Sequence, residues 1–176
     1  MLNIINFETL SLLLQTFVGL AGVFVALAVY QHSKRLQQDN WQRLFSDIHA
    51  SFWNDKEIKQ ARHWLAYPRA YREIRKILIQ RQKIDVNLQE AKELTEVEYT
   101  KLDILDKYLS LLTRIVGVNP DLPKQRELWK SVFFKYWMDK CFEEDRPELV
   151  WYIQNYFEVL YDFQMRREKS KLDRKR

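Results

Sequence analysis

The sequence predicts an all-α protein, an N-terminal transmembrane helix running on into a cytoplasmic helical bundle. Three observations carry that prediction. Leu10–Tyr30 reads LSLLLQTFVGLAGVFVALAVY, 21 residues without a charge. The 176 residues include only 3 Gly and 4 Pro beside 6 Trp, 9 Tyr and 10 Phe, which argues against disorder and turn-rich β folds. After Tyr30 the apolar residues recur at spacings of three and four, and no alternating strand pattern appears.

As a helix, the uncharged run is about 31 Å long, matching a hydrocarbon core of about 30 Å. A soluble-core helix is rarely so long and so apolar on all faces. Ala26-Leu27-Ala28 resembles a signal-peptidase site, which leaves a cleaved signal as an alternative, with a buried helix as a third. Against cleavage, no Lys or Arg precedes the run, and the run exceeds a normal signal-peptide core. Glu8 lies before it, while His32, Lys34 and Arg35 follow. Positive flanks stay in the cytoplasm, so the expectation is a single-pass protein with residues 31–176 inside. Residues 31–176 carry all 29 Lys and Arg and a net charge of +6. A lone Cys141 suits a reducing compartment.

Within the run, Ser11, Gln15, Gly19, Gly22 and Ala26 fall on one helical stripe. Small residues let membrane helices approach closely, and polar ones bond across them. The stripe therefore reads either as the lining of an oligomeric pore or as a simple helix-packing contact. Gln15 is the sharpest clue, because an amide facing lipid alone is costly.

The expected organisation is residues 1–33 with the span at 10–30, a bundle over 34–165, and a basic tail over 166–176. No Gly or Pro occurs between Val23 and Tyr67, so the span is expected to continue to about residue 53. Asn54 or Asp55 then caps a second helix over 55–66, ended by Tyr67-Pro68. A third covers about 69–82 with Tyr71, Ile74, Ile77 and Leu78 inward, and 83–94 is a connector, with a partly helical one as the alternative. Thr95-Glu96-Val97-Glu98 is a capping-box pattern. It opens a helix bearing Leu102, Leu105, Leu109, Leu112 and Val116, with Gly117 where a left-handed cap belongs. A fifth helix covers 124–142, and Pro147 opens a sixth that carries apolar residues to Phe163. The last two are apolar on more than one face, and residues such as Trp129, Phe134, Trp137, Trp151 and Tyr161 are read as core or as a subunit interface.

Several chemistries are excluded. One Cys and three His leave no paired-cysteine zinc site and little material for any metal, so no cofactor is expected. Glycines at 19, 22 and 117 build no phosphate loop. Carboxylates such as Glu143-Glu144-Asp145 read as charges at a helix start. Cys141 reads as a small core residue. The basic segment, Arg166, Arg167, Lys169, Lys171, Arg174, Lys175 and Arg176, is read three ways: contact with anionic lipid, nonspecific attraction to RNA, or a solvated, frayed tail.

Arg43 and His49 are separated by five residues. Ribonucleases of the HEPN class pair an Arg and a His a few residues apart, the His moving a proton and the Arg stabilising phosphate charge. Here Leu44 follows the Arg, and on one straight helix six residues rotate the side chain by roughly 240°, so the two would not share a face. No enzyme activity is expected, with Arg43 and His49 as the alternative catalytic pair.

In layout the chain resembles the small membrane accessory proteins of type VI-B CRISPR loci. The residues that carry the likeness are Arg43 and His49, the Phe52-Trp53-Asn54-Asp55 turn and the aromatic helix from Leu128 to Cys141. The resemblance implies a divergent HEPN-like fold at the bacterial inner membrane. It also implies antiviral defence beside an RNA-guided ribonuclease, and assembly into a membrane pore. The expected function is accordingly a membrane-anchored homo-oligomeric effector that depolarises the cell. Its partners would be the bilayer and more than one further copy, with no specific small-molecule substrate. An RNase using Arg43 and His49 and a passive membrane tether are the rival readings.

Overall fold

The computed structural model describes residues 7–88, 91–118 and 123–173. Among them it is entirely helical: α1 (Phe7–Asn54), α2 (Lys56–Ala66), α3 (Pro68–Asp85), α4 (Glu96–Gly117), α5 (Pro123–Ser131), α6 (Phe134–Cys141), α7 (Pro147–Tyr156) and α8 (Glu158–Asp173). The chain divides into two units, Met1–Phe45 and Ser46–Arg176.

In the first unit the described apolar side chains of α1 from Phe17 to Leu36 are exposed, while Trp41, Leu44 and Phe45 are half-buried. Phe17 is 76% exposed and Phe24 70%, and Val23, Val25, Leu27 and Val29 are exposed as well. Among the described residues no helix is long and apolar enough to cross a membrane. Much of the expected span lies outside the described side chains, which omit residues 10–15 and 18–21.

The second unit begins with the last turns of α1, where Ile48 and Phe52 are fully buried. Local signals set the helix starts. Asp55, in an extended conformation, accepts hydrogen bonds from the amides of Glu57 (2.9 Å) and Ile58 (3.2 Å) and so starts α2. Pro68 occupies the first turn of α3 and Pro147 that of α7, where a missing N–H does no harm. At α4 the capping box closes in both directions. Thr95 Oγ1 accepts from the Glu98 amide (3.3 Å), and Glu98 Oε2 accepts from the Thr95 amide (2.8 Å).

The core lies where α4 packs against α2, α3 and α8, with α7 closing over α3 and α8. Leu105, Tyr108, Leu109, Leu112 and Ile115 of α4 are all sealed from solvent, facing Leu65, Ile74 and Leu78. Cys141 is sealed too, and burial pushes its thiol up to about 12. The inward positions expected on α3 and α4 are the buried ones.

Five local expectations require correction. The third helix does not end at 82 but runs to Asp85, with Asn87 turning left-handed (φ 51°) just beyond it. Asn tolerates that region because its short side chain bonds locally. Gly117 makes no left-handed cap; it ends α4, and Val118 leaves in an extended conformation. The fifth helix is not continuous. Phe133 adopts φ 51°, ψ 42° and separates α5 from α6. The Ser131 carbonyl at this break accepts the indole N–H of Trp53 (3.2 Å), and the Phe133 ring meets Trp53 edge-on. A long-range hydrogen bond thus takes the place of helical continuation. The sixth helix also breaks, at Phe157, which caps α7 through Ile153 and whose carbonyl receives the Leu160 amide (2.9 Å). Finally, the basic segment does not fray from 166, because α8 carries it in helical form to Asp173.

Candidate functional site

The break at Phe133 builds the site. It separates α5 from α6, and side chains from both, with Phe163 and Arg167 of α8, line an open groove of about 870 Å³. Its floor is aromatic. Trp129 and Phe134 are stacked at 5.2 Å, and Phe163 stands edge-on to both at 5.9 Å. Phe133 and Tyr136 form the lip, and Phe133 remains 62% exposed. A bulky residue at positive φ is unusual. The indole N–H of Trp129 is buried with no acceptor among the described residues.

The rim is basic. Arg126, Lys130, Lys135 and Arg167 surround the opening, against one acid, Asp139. Lys135 (2.6 Å) and Arg167 (2.9 Å) both pair with that acid. Burial opposes ionisation of Asp139, but these two cations outweigh it and hold the carboxyl below its usual range. Arg126 and Lys130 have no carboxylate partner among the described residues, so the groove mouth carries uncompensated positive charge.

A second polar group lies inside the unit and is structural in character. Glu148 is buried; its Oε1 accepts from the Tyr71 hydroxyl (2.9 Å) and pairs with Arg75 Nε (3.2 Å). Burial, then the charge of Glu148, pushes the Tyr71 hydroxyl well up from its ordinary value. Buried Arg146 lies over the Tyr71 ring at 4.5 Å and donates to the carbonyls of Leu65 (3.0 Å) and Lys140 (2.8 Å). These bonds tie α2, α3, α6 and α7 together in one place and leave no reactive group facing solvent.

The sequence-predicted residues are dispersed. Arg43 is exposed and belongs to the first unit, whereas His49 is half-buried in the second. Arg62 lies over the rings of Phe52 (4.6 Å) and Trp53 (4.7 Å), where burial lowers its pKa. The side chains of Ser11, Gln15 and Gly19 lie outside the described residues. Gly22 and Ala26 are exposed, and a Cβ added at Gly22 would meet nothing within 4 Å. Of the basic segment, Arg166 and Lys169 are exposed and Arg167 is held by Asp139 and by Gln164 (3.1 Å). The side chain of Lys171, and Arg174, Lys175 and Arg176, lie outside the described residues.

Reading the sequence misses Phe163, Arg126 and Lys130 as groove residues. The one available signal was the excess of aromatics over what one core can take. Among the described residues, no group of three or more His, Cys, Asp or Glu is placed to hold a metal ion. Comparison of the chain with protein-family models, with curated proteins and with solved structures finds no match.

Proposed function

We propose that the chain is a membrane-anchored, homo-oligomeric effector of bacterial antiviral defence that forms a pore in the inner membrane. This is the role that its likeness to type VI-B accessory proteins implies. The observation that carries the reading is the outward apolar surface of α1. Phe17, Val23, Phe24, Val25, Leu27 and Val29 are exposed on a stretch of helix that contains no charge. A contiguous apolar surface of that kind calls for lipid or for further copies to cover it. The rest of the Leu10–Tyr30 run extends the same composition toward the N-terminus. Lys34 and Arg35 behind it favour a cytoplasmic second unit.

Gly22 and Ala26, one helical turn apart and open to close approach, support contact between copies through the stripe that also contains Ser11, Gln15 and Gly19. A pore needs more than two such helices, since two enclose no water. The test has two stages. Membranes from expressing cells are washed with alkaline carbonate, and the retained protein is sized after gentle solubilisation. Retention with a ring of about six or more copies is the expected result, and Gln15→Leu or Gly22→Leu should insert normally yet fail to depolarise cells. Release by carbonate would end the membrane reading, and a dimer would end the pore.

A further inference from the structure

We infer that the groove between α5, α6 and α8 is a binding site for an anionic amphiphile, a long acyl chain ending in a carboxylate or phosphate. It does not rest on the pore reading, since every residue involved belongs to the second unit.

Three features of the site select this ligand class. The floor of Trp129, Phe134 and Phe163 offers apolar contact and no hydrogen-bonding surface along its length, which suits a hydrocarbon chain. The volume of about 870 Å³ lies within the range of small-molecule pockets. The mouth holds Arg126 and Lys130 without carboxylate partners among the described residues, while Asp139 is already engaged by Lys135 and Arg167. An anion at the mouth is attracted; a cation is repelled.

Phe133 adds an independent argument. Its left-handed backbone is strained for a bulky residue, and the strain holds a largely exposed ring at the lip. Strained conformations of this kind gather at ligand clamps. An acyl chain lying along the floor would cover this ring and that of Tyr136.

The source of such a chain is a free fatty acid or an anionic membrane lipid, and the experiment separates them. The full-length protein is reconstituted in phosphatidylcholine vesicles and its tryptophan fluorescence titrated with dibromostearate, the uncharged methyl ester serving as control. A parallel series uses vesicles containing brominated phosphatidylglycerol or brominated phosphatidylcholine. The expected result is quenching by an anionic probe that falls sharply in Trp129→Phe and exceeds that of its uncharged or zwitterionic counterpart. Lys130→Glu should weaken it about five- to tenfold, as loss and reversal of one partly screened charge implies. Phe133→Gly, which suits the left-handed backbone and so keeps the fold, should weaken it by a similar factor. Quenching by dibromostearate assigns a free fatty acid; quenching by brominated phosphatidylglycerol alone assigns a membrane lipid. Equal quenching by charged and uncharged probes, quenching indifferent to Trp129→Phe, or none from either source would overturn the proposal.

Discussion

Two helices of this chain are rich in large apolar side chains and meet opposite fates. In α4, Leu105, Leu109, Leu112 and Ile115 are wholly buried. In α1, between residues 22 and 30, Val23, Phe24, Val25, Leu27 and Val29 are all exposed. Apolar content alone does not decide the matter. α4 alternates its leucines with Lys101, Asp103, Lys107 and Arg114, so it has one face for water and one for its neighbours. The α1 segment has no charge with which to make a second face. Without a polar side, such a helix that packs one stripe on a bundle still presents its remaining apolar stripes to water.

The contrast is sharpest when one substitution is made in both places. Leu109→Ala should destabilise the second unit by about 3–4 kcal/mol, because the surrounding core closes only partly over the cavity. Thermal or denaturant unfolding followed by circular dichroism measures it. A loss below about 1 kcal/mol would mean that the α4 interface is looser than its burial implies.

The interior of the second unit also buries two charged side chains, Arg146 and Glu148, and Glu148→Ala asks how much depends on the acid. Removing the carboxylate strands the Tyr71 hydroxyl, and a loss of about 2–3 kcal/mol is expected. The double variant with Tyr71→Phe should recover part of that loss, since the stranded hydroxyl is then gone. Equal unfolding midpoints for the single and double variants would show that the hydroxyl finds another acceptor.

The start of α4 is a smaller lever. Thr95→Ala should lose about 1 kcal/mol at neutral pH. Backbone and side-chain hydrogen bonds from Thr95 hold the Glu98 carboxyl below the usual carboxylate range. A lowered folded value contributes stability that is present above the unfolded value, about 4.3, and disappears as pH falls through the folded one. The gap between wild type and Thr95→Ala should therefore narrow in acid. A gap that widens there would contradict the reciprocal cap.

The smallest effect belongs to the matching change in α1. Leu27→Ala should leave the unfolding midpoint of the second unit within about 0.5 kcal/mol of wild type, since this side chain is already 51% exposed. A shift of about 2 kcal/mol or more would show that the segment packs on the bundle in solution and would erase the contrast with Leu109.

How far these features could be read in advance follows from the range of the interactions behind them. The caps at Asp55 and Thr95, the prolines at 68 and 147 and the leucine stripe of α4 are written within a few residues, and each was legible. The breaks at Phe133 and Phe157 were not. No Gly or Pro marks either, and at Phe133 the carbonyl freed two residues before it is taken by Trp53, 78 positions away. The groove depends on that break, so it was hidden as well, although the crowd of aromatics between Trp129 and Trp137 showed that one core would not hold them all. The Tyr71–Glu148 bond spans 77 positions and had no local signature either. The Leu10–Tyr30 run was conspicuous as composition, but which side of it faces other copies depends on contacts that composition does not contain.

Cys141 has a consequence beyond packing. With the thiolate suppressed by burial and no other sulfhydryl in the chain, the folded protein is chemically silent toward maleimides and mild oxidants. Any second cysteine placed on the outer surface of α1 would react alone. In Gly22→Cys or Ala26→Cys, disulfide-linked dimers could form only where two copies bring the same helical turn within bonding distance. Cys141 would join the reaction only on unfolding, so its modification would report denatured chains separately from assembled ones.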